Sequence, residues 1–187
     1  MDKVVLKKGK GEHMSFLELA KKRYSVRKFQ DKQIEEEKLL QILEAGRVAP
    51  TGANKQPQRL IVVREKEGFE RLKKAANIYN APLAIIVCGD TDAAWVRPID
   101  GKKITEIDAS IVTDHMMLEA TELGLGSVWI CYFDPVVIKK EFNLPDNLLP
   151  VNILAIGYSS SESASPDRLS KTRKPLKDIV YYETFNV

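Results

Sequence analysis

The order of apolar and polar positions along the chain predicts helices that alternate with short apolar strands. Apolar residues at helical spacing favour helices over residues 15–22, 35–48, 68–76, 106–123 and 134–142. Runs of apolar and β-branched residues favour strands over residues 60–63, 83–88, 127–132 and 151–157. The run at 83–88 is apolar at every position, so we expect that strand to be buried on both faces.

Two of these helices carry information about packing. In the helix over residues 35–48 we expect the core-facing side to be formed by Leu39, Leu40, Leu43 and Ala45. In the helix over residues 106–123 the apolar residues occupy more than one stripe. Such a helix is either central to the fold or shared with a partner subunit.

Several helix ends are marked by local signals. Ser15 and Glu18 have the spacing of a capping box. Pro50 stops the second helix, and Gly124 can adopt the left-handed conformation that ends the longest one. Asp134-Pro135 is typical of a helix start, with aspartate as the cap and proline in the first turn.

The connections differ in composition. Residues 89–104 are polar and predict a mobile loop, residues 159–167 are a serine-rich loop, and residues 180–185 are an apolar and aromatic tail. Single strands separated by helices would, by this order alone, favour a parallel sheet.

Length and composition favour one soluble globular domain. The chain has 187 residues, of which 44% are hydrophobic and 29% charged, and no apolar run approaches the roughly 18 residues of a membrane span. Residues 1–13 lack the apolar centre of a secretory signal. We expect them to be a tail or a cloning leader that precedes a single domain over residues 14–187.

Charge and cysteine content exclude several kinds of protein. The net charge of +3 is mild and the basic residues are scattered, so nucleic acid is not an expected partner. Cys88 and Cys131 lie in apolar strand patterns and are expected to be buried thiols of a cytoplasmic protein. His13 and His115 are isolated from each other and from the cysteines, so no metal site is expected.

A first candidate motif is Arg23-Tyr24-Ser25-Val26-Arg27. Alternate residues of an extended segment point the same way, so Arg23, Ser25 and Arg27 could line one side of a groove. Arginine binds phosphate oxygens with a two-pronged fork. The same residues could instead form a solvated basic linker.

Three further segments carry candidate chemistry. The loop over residues 50–57 is restricted by its prolines and glycine, and it offers donors and acceptors from Thr51, Asn54 and Gln56. Residues 124–131 read Gly-Leu-Gly-Ser-Val-Trp-Ile-Cys, and residues 171–176 read Lys-Thr-Arg-Lys-Pro-Leu. Taken singly, these could be an ordinary helix-to-strand loop, a glycine cap before a core strand, and a basic loop.

Taken together and in this order, the four segments resemble the FMN-dependent nitroreductase family. Arg23–Arg27 is similar to its Arg-Arg/Tyr-Ser-Val-Arg motif, and residues 50–57 are similar to Pro-Ser-Gly-x-Asn-x-Gln-Pro. Thr51 replaces the serine of that motif, and Gln58 stands where the family has tryptophan. The second change removes an aromatic side chain, so we expect the packing near the site to differ.

The resemblance implies an α+β fold with a mixed, largely antiparallel sheet flanked by helices. This overrides the parallel sheet that the order of elements favours. It further implies a homodimer in which the C-terminal segment crosses to the other subunit and FMN binds at the interface.

The resemblance also implies roles for particular residues. Arg23 and Arg173, with Lys171 beside them, would hold the FMN phosphate. Arg27 would lie at the N1–O2 edge of the flavin ring, where a fixed positive charge stabilises the charge that reduction adds. The remaining expected flavin contacts are Tyr24 and Ser25; Pro50, Thr51, Asn54 and Gln56 from the neighbouring subunit; and Trp129, Ile130 and Cys131. Cys131 is expected to form part of the wall and not to react.

The implied activity is reduction of nitroaromatic or quinone-like acceptors by NADH or NADPH, with donor and acceptor using the same site in turn. Two alternatives stay open: another reaction on the same scaffold, such as dehalogenation, flavin fragmentation or peptide dehydrogenation, and a flavin-binding sensor without turnover. The glycine patterns of Rossmann and P-loop proteins do not occur in their required contexts.

Overall fold

A computed structural model describes residues 14–185. Along the described chain the helices and strands are α1 (Phe16–Lys22), α2 (Glu36–Val48), β1 (Gln58–Val63), α3 (Lys66–Leu72), β2 (Leu83–Asp90), α4 (Thr105–Glu122), β3 (Gly126–Ile130), α5 (Pro135–Glu141), β4 (Leu148–Gly157) and α6 (Arg168–Thr172). Short 3-10 turns occur at Gly52–Asn54 and Leu176–Asp178. The expected tail at 1–13 lies outside the described residues.

The strands form a four-stranded sheet in the order β1-β2-β4-β3. Each neighbouring pair is antiparallel, which confirms the largely antiparallel α+β fold and shows that a parallel sheet would have been wrong. Parallel pairing occurs at an isolated bridge between Ser25 and Ser127, at the outer edge of β3. The strands at the two edges of the sheet, β1 and β3, are thus far apart.

The local helix signals operate as expected. Ser15 and Glu18 form both hydrogen bonds of a capping box at the start of α1. The Asp134 carboxylate accepts hydrogen bonds from the main-chain N–H groups of Val136 and Val137 at the start of α5. Gly124 has φ +78°, the left-handed conformation that ends the chain's longest described helix at low steric cost.

The core lies on both faces of the sheet. One apolar cluster fills the space between the sheet and helices α2 and α4, and a second lies on the opposite face, where α3 and α5 pack. Strand β2 is buried on both faces, as its apolar sequence indicates. Helix α4 buries residues around much of its circumference, which confirms that it is central.

Some details differ from the sequence-based expectation. Leu40 of α2 is 56% exposed although it was expected in the core, because α4 packs on the side of α2 that carries Leu39 and Ile42. Strand β3 ends at Ile130, so Cys131 lies beyond it and is exposed, whereas Cys88 is buried. Helix α6 was not expected, since its sequence carries no apolar periodicity. No helix within residues 14–185 has the length and apolar character needed to cross a bilayer.

Candidate functional site

The segment that contains Arg23 and Arg27 runs along the outer edge of β3. Ser25 forms a parallel bridge with Ser127, and the Val26 N–H donates to the Ser127 carbonyl oxygen at 2.9 Å. Val26 is buried against Gly126, where an added Cβ would lie 2.5 Å from Val26 Cγ2. Because Val26 points inward, Ser25 and Arg27 point outward and are exposed, as their alternation predicts.

The arginines of residues 14–185 fall into two groups. One group forms ion pairs with carboxylates: Arg47 with Glu44, Arg59 with Asp90, Arg64 with Glu36, Arg71 with Glu67, and Arg97 with Asp100. The other group forms no ion pair with any residue in that part of the chain, and it consists of Arg23, Arg27, Arg168 and Arg173. Three of these four are the arginines of the first and fourth motifs.

Arg168 and Arg173 lie close enough to Arg23 for their charges to act on it. Burial lowers the pKa of the half-buried Arg23 guanidinium, and the positive charges of Arg168 and Arg173 lower it further. Asp114 acts in the opposite direction but more weakly. The fold therefore brings Arg23 together with Arg168 and Arg173 as a concentration of positive charge, and within residues 14–185 none of the three forms an ion pair with a carboxylate.

Arg27 lies apart from this cluster. Its guanidinium carbon is 6.0 Å from the centroid of the Tyr79 ring, a cation–π arrangement. Tyr79 and the next residue, Asn80, both have left-handed backbone conformations, with φ of 57° and 55°. Left-handed conformations in residues other than glycine are strained and often occur at functional sites.

The third motif supplies mainly a strand edge. Trp129 is half-buried and packs against the core on the α4 side, whereas Ile130 points into the opposite cluster. Beyond Ser127 no strand within residues 14–185 pairs with the outer edge of β3, which the main chain of Trp129 faces. Cys131 follows with an exposed thiol.

The loop over residues 50–57 has an unusual backbone. Ala53, Asn54 and Gln56 all have positive φ, between 47° and 54°. The Thr51 hydroxyl accepts a hydrogen bond from the Gln56 N–H at 3.0 Å, which closes the loop on itself. Thr51 is half-buried, while Pro50, Asn54 and Gln56 are exposed.

Asp108 of α4 fixes the start of this loop. Its carboxylate is almost completely buried, and Oδ1 accepts a hydrogen bond from the Gly52 N–H at 2.9 Å. The other oxygen, Oδ2, is buried without a hydrogen-bond partner among the described residues. Burying a carboxylate that accepts a single hydrogen bond costs folding free energy. Asp108 therefore holds the strained loop in place at the expense of stability.

The fold of a single chain does not bring this loop to the arginines. The loop precedes β1, where Gln58 is opposite Gly89, and Gly89 is opposite Leu149 of β4. Ser127, beside the first motif, is opposite Ile156 at the other end of β4. The two places are therefore separated by about 23 Å along the strands and about 14 Å across the sheet.

Comparison with known proteins identifies the fold family. The model of the nitroreductase family matches residues 20–78 and 69–158. The chain belongs to the nitroreductase family. This nitroreductase is 64% identical to a nitroreductase family protein from Clostridium difficile 630. The two structures superpose with a TM-score of 0.91, and the alignment covers 92% of this chain and 100% of the other.

Two further relatives have more informative names. A protein of Methanothermobacter thermautotrophicus, provisionally named NADH dehydrogenase/NAD(P)H nitroreductase, is 33% identical over 173 residues that cover 88% of each chain. An FMN-dependent nitroreductase from Clostridium difficile R20291 is 30% identical, with a TM-score of 0.72 and coverage of 91% of this chain and 100% of the other.

In this nitroreductase the structure joins three of the four motifs predicted from sequence. The first motif lies along the third, and α6, which ends at Arg173 of the fourth motif, is bonded to the Arg23 carbonyl oxygen through Arg168. Lys171 is exposed on α6, two residues before Arg173. Arg168 and Asp108 are not among the residues predicted from the sequence. Neither lies in a motif, and their roles come from partners far along the chain, so no local signal would have found them.

Proposed function

We propose that this nitroreductase is an FMN-dependent oxidoreductase that uses NADH or NADPH to reduce nitroaromatic or quinone-like acceptors by a ping-pong mechanism. Family membership supports an oxidoreductase. The names of two relatives support the cofactor and the donor, since one is called FMN-dependent and the other NAD(P)H nitroreductase. The two unpaired thiols, Cys88 and Cys131, suit a reducing cytoplasm.

The observation that carries the proposal is the group of arginines without carboxylate partners. Guanidiniums brought together without an anion raise the energy of the folded chain, and a phosphate dianion between them would reverse this. Arg23 and Arg173, with Lys171 nearby, are therefore suited to the FMN phosphate. The free main-chain edge of β3 at Trp129, with Ile130 and Cys131 after it, is suited to the polar edge of a flat ring.

In this proposal Arg27 acts on the ring and not on the phosphate. It lies on the same extended segment as Arg23, four residues away, which is about 13 Å of extended chain. Its guanidinium cannot lose its proton at accessible pH, so it would supply a permanent positive charge. We expect Arg27→Ala to lower the midpoint potential of the bound flavin, measured by dye equilibration; an unchanged potential would show that Arg27 does not tune it.

The functional form in this proposal is a homodimer. The 50–57 loop, with Pro50, Thr51, Asn54 and Gln56, lies too far from Arg23 to reach the same ligand within one chain, so a second copy would supply it. Apolar side chains exposed on α1, α2 and α4 offer a surface for that copy: Phe16, Leu17, Leu40, Val48 and Ile107.

The C-terminal segment fits the same assembly. It carries exposed apolar residues between Leu176 and Phe185. Strand β1 is an edge strand, and beside it lies an open groove lined by apolar side chains such as Leu39, Leu43 and Phe142. We propose that the C-terminal segment of one subunit packs on the other. Light scattering of the full chain should give a dimer, and deletion of residues 176–187 should give monomers.

The chain itself contributes binding and positioning and not a nucleophile. When bound, FMN supplies the two-electron transfer between NAD(P)H and the acceptor. The site residues hold the phosphate, place the ring against β3, and keep a positive charge near one edge of the ring. Residues 14–185 contain no cluster of three potential metal ligands.

The decisive experiment is the visible absorption spectrum of the purified protein, before and after anaerobic addition of NADH and then NADPH. We expect flavin bands that bleach with at least one donor and return when a nitroaromatic or a quinone is added. A colourless protein that does not take up added FMN would refute the proposal. Bound flavin that neither donor reduces would favour the sensor.

A further inference from the structure

Arg168, the first residue of α6, joins the C-terminal part of the chain to the first arginine motif. Its Nη2 donates a hydrogen bond to the Arg23 carbonyl oxygen at 2.7 Å, and its Nη1 donates to the Ser165 carbonyl oxygen at 2.9 Å. Longer bonds of 3.4 Å run from Nη1 to the carbonyl oxygens of Lys21 and Ala164. One guanidinium thus ties together main-chain segments that are about 145 residues apart.

These bonds hold Arg168 in place without neutralising it. Its partners are carbonyl dipoles and the ring of Tyr24, whose centroid lies 5.8 Å from the guanidinium carbon. Arg168 forms no ion pair with any residue between 14 and 185. It is half-buried, so water screens its charge less than at an open surface. Its full positive charge therefore acts on Arg23, where it lowers the pKa.

Arg168 also determines where Arg173 stands. Helix α6 has five residues, about 7.5 Å of helix, and Arg173 follows it as the C-cap. The Arg173 N–H donates to the Leu169 carbonyl oxygen at 3.0 Å. Anchoring the first residue of this short helix to the Arg23 carbonyl therefore fixes where the main chain of Arg173 lies relative to that of Arg23.

We propose that Arg168 is a positioning residue that makes this site select flavin carrying a terminal phosphate over flavin without one. It does so by holding Arg23 and Arg173 close to each other, so that both can bind one phosphate, and by adding a third positive charge. The inference rests on the proposed FMN function and assigns that site a further residue. Arg168 itself bonds to main-chain carbonyls, so its part is to arrange the two arginines that would touch the phosphate.

The test compares FMN with riboflavin, which has the same ring and no phosphate. Full-length apoprotein is titrated with each flavin by fluorescence quenching, for the wild type, Arg168→Gln and Arg168→Lys. A matched control is Arg71→Gln, because Arg71 is also a half-buried helical arginine but pairs with Glu67 on α3. Circular dichroism and light scattering confirm that each variant keeps the fold and assembly of the wild type.

We expect Arg168→Gln to raise the Kd for FMN about ten-fold or more, the size of one charge-assisted interaction, and to leave the Kd for riboflavin within about two-fold. Arg168→Lys keeps the charge but not the fork, so its Kd for FMN should lie between those of the wild type and the glutamine variant. Arg71→Gln should match the wild type for both flavins.

Other outcomes overturn the inference. An equal loss of both flavins would show that Arg168 only stabilises the local fold. Unchanged FMN affinity would show that the arrangement does not depend on it. If Arg168→Gln does not fold, the ratio of the Kd for riboflavin to the Kd for FMN in Arg168→Lys decides the test: a ratio below that of the wild type supports the inference, and an equal ratio refutes it. A wild-type chain that binds neither flavin refutes the proposed function and this inference with it, whereas flavin binding with an unchanged ratio refutes only the inference.

Discussion

The contact between Val26 and Gly126 connects the stability of the sheet with the position of the arginine motif. A Cβ added at Gly126 would lie 2.5 Å from Val26 Cγ2, 3.2 Å from Cγ1 and 3.0 Å from Cβ. Ordinary carbon–carbon contacts are about 3.5–4.0 Å, so Gly126→Ala requires a displacement of about 1 Å. Val26 is 1% exposed and its N–H is bonded to Ser127, so it has little room to move alone.

The expected cost of Gly126→Ala is about 1–3 kcal/mol, the range found for overpacked cores. For a chain of this size that corresponds to a fall in Tm of roughly 2–12 °C. The displaced segment also carries Arg23 and Arg27, so FMN affinity should fall together with stability. Urea unfolding and FMN titration at one fixed protein concentration measure both effects, because stability of an assembly depends on concentration.

A second variant distinguishes this clash from a general effect of the substitution. Val26→Ala removes the two Cγ atoms but leaves the tight contact with Cβ, so it should relieve part of the clash. In a double-mutant cycle we therefore expect Gly126→Ala to cost about 1 kcal/mol less in the Val26→Ala background than in the wild type. If the two substitutions are additive, or if Gly126→Ala stays within about 0.5 kcal/mol of the wild type, the close contact does not limit this edge of the sheet.

Three further expectations follow from single residues. Arg23→Gln should weaken FMN binding about 10- to 100-fold and leave riboflavin binding unchanged; equal effects on both would contradict the phosphate role. Burial raises the pKa of Cys88 to about 11, so at pH 8 iodoacetamide should modify the exposed Cys131 and spare Cys88 until unfolding, as peptide mapping would show. The Tyr158 hydroxyl donates to Glu35 at 2.6 Å and is the main cause that lowers the pKa of Glu35 from 4.5 to about 2. This stabilisation is present above pH 4.5 and is lost as the pH falls towards 2, so Tyr158→Phe should move the midpoint of acid unfolding to higher pH. An unchanged midpoint would show that the Tyr158–Glu35 hydrogen bond does not contribute to acid stability.

The rate at which iodoacetamide alkylates Cys131 also tests whether this thiol lies in the flavin site. If the thiol lies at the wall of the flavin site, saturating FMN should slow its alkylation while the control reaction of free cysteine is unaffected. Equal rates with and without FMN would place Cys131 outside the site.

Much of the local structure could be predicted because its causes are local. The capping box at Ser15, the aspartate–proline start at Asp134 and the left-handed glycine at Gly124 each depend on residues within one turn. The fully apolar run of β2 predicted burial on both faces. The order of the four motifs was sufficient for the resemblance to the family to which the chain belongs.

The sequence could not decide which way neighbouring strands run or which apolar residues are covered. The order of helices and strands favours parallel pairing, whereas every named pair is antiparallel. Leu40 and Cys131 have the local patterns of buried residues but are exposed, because burial depends on what the rest of the chain places against them. Each of these outcomes arises from contacts between distant segments, and periodicity does not report such contacts.

The sequence by itself determined the helix ends, the buried central strand and the segments that carry chemistry. Only the tertiary structure decided which of the arginines are free to bind an anion. Arg64 pairs with Glu36 and Arg59 with Asp90, partners about 30 residues away, whereas Arg23 forms no ion pair within residues 14–185 and lies near Arg168 and Arg173. The physical reason is that charges compensate one another across space and not along the chain, so an unpaired charge can be recognised only when the whole fold is known.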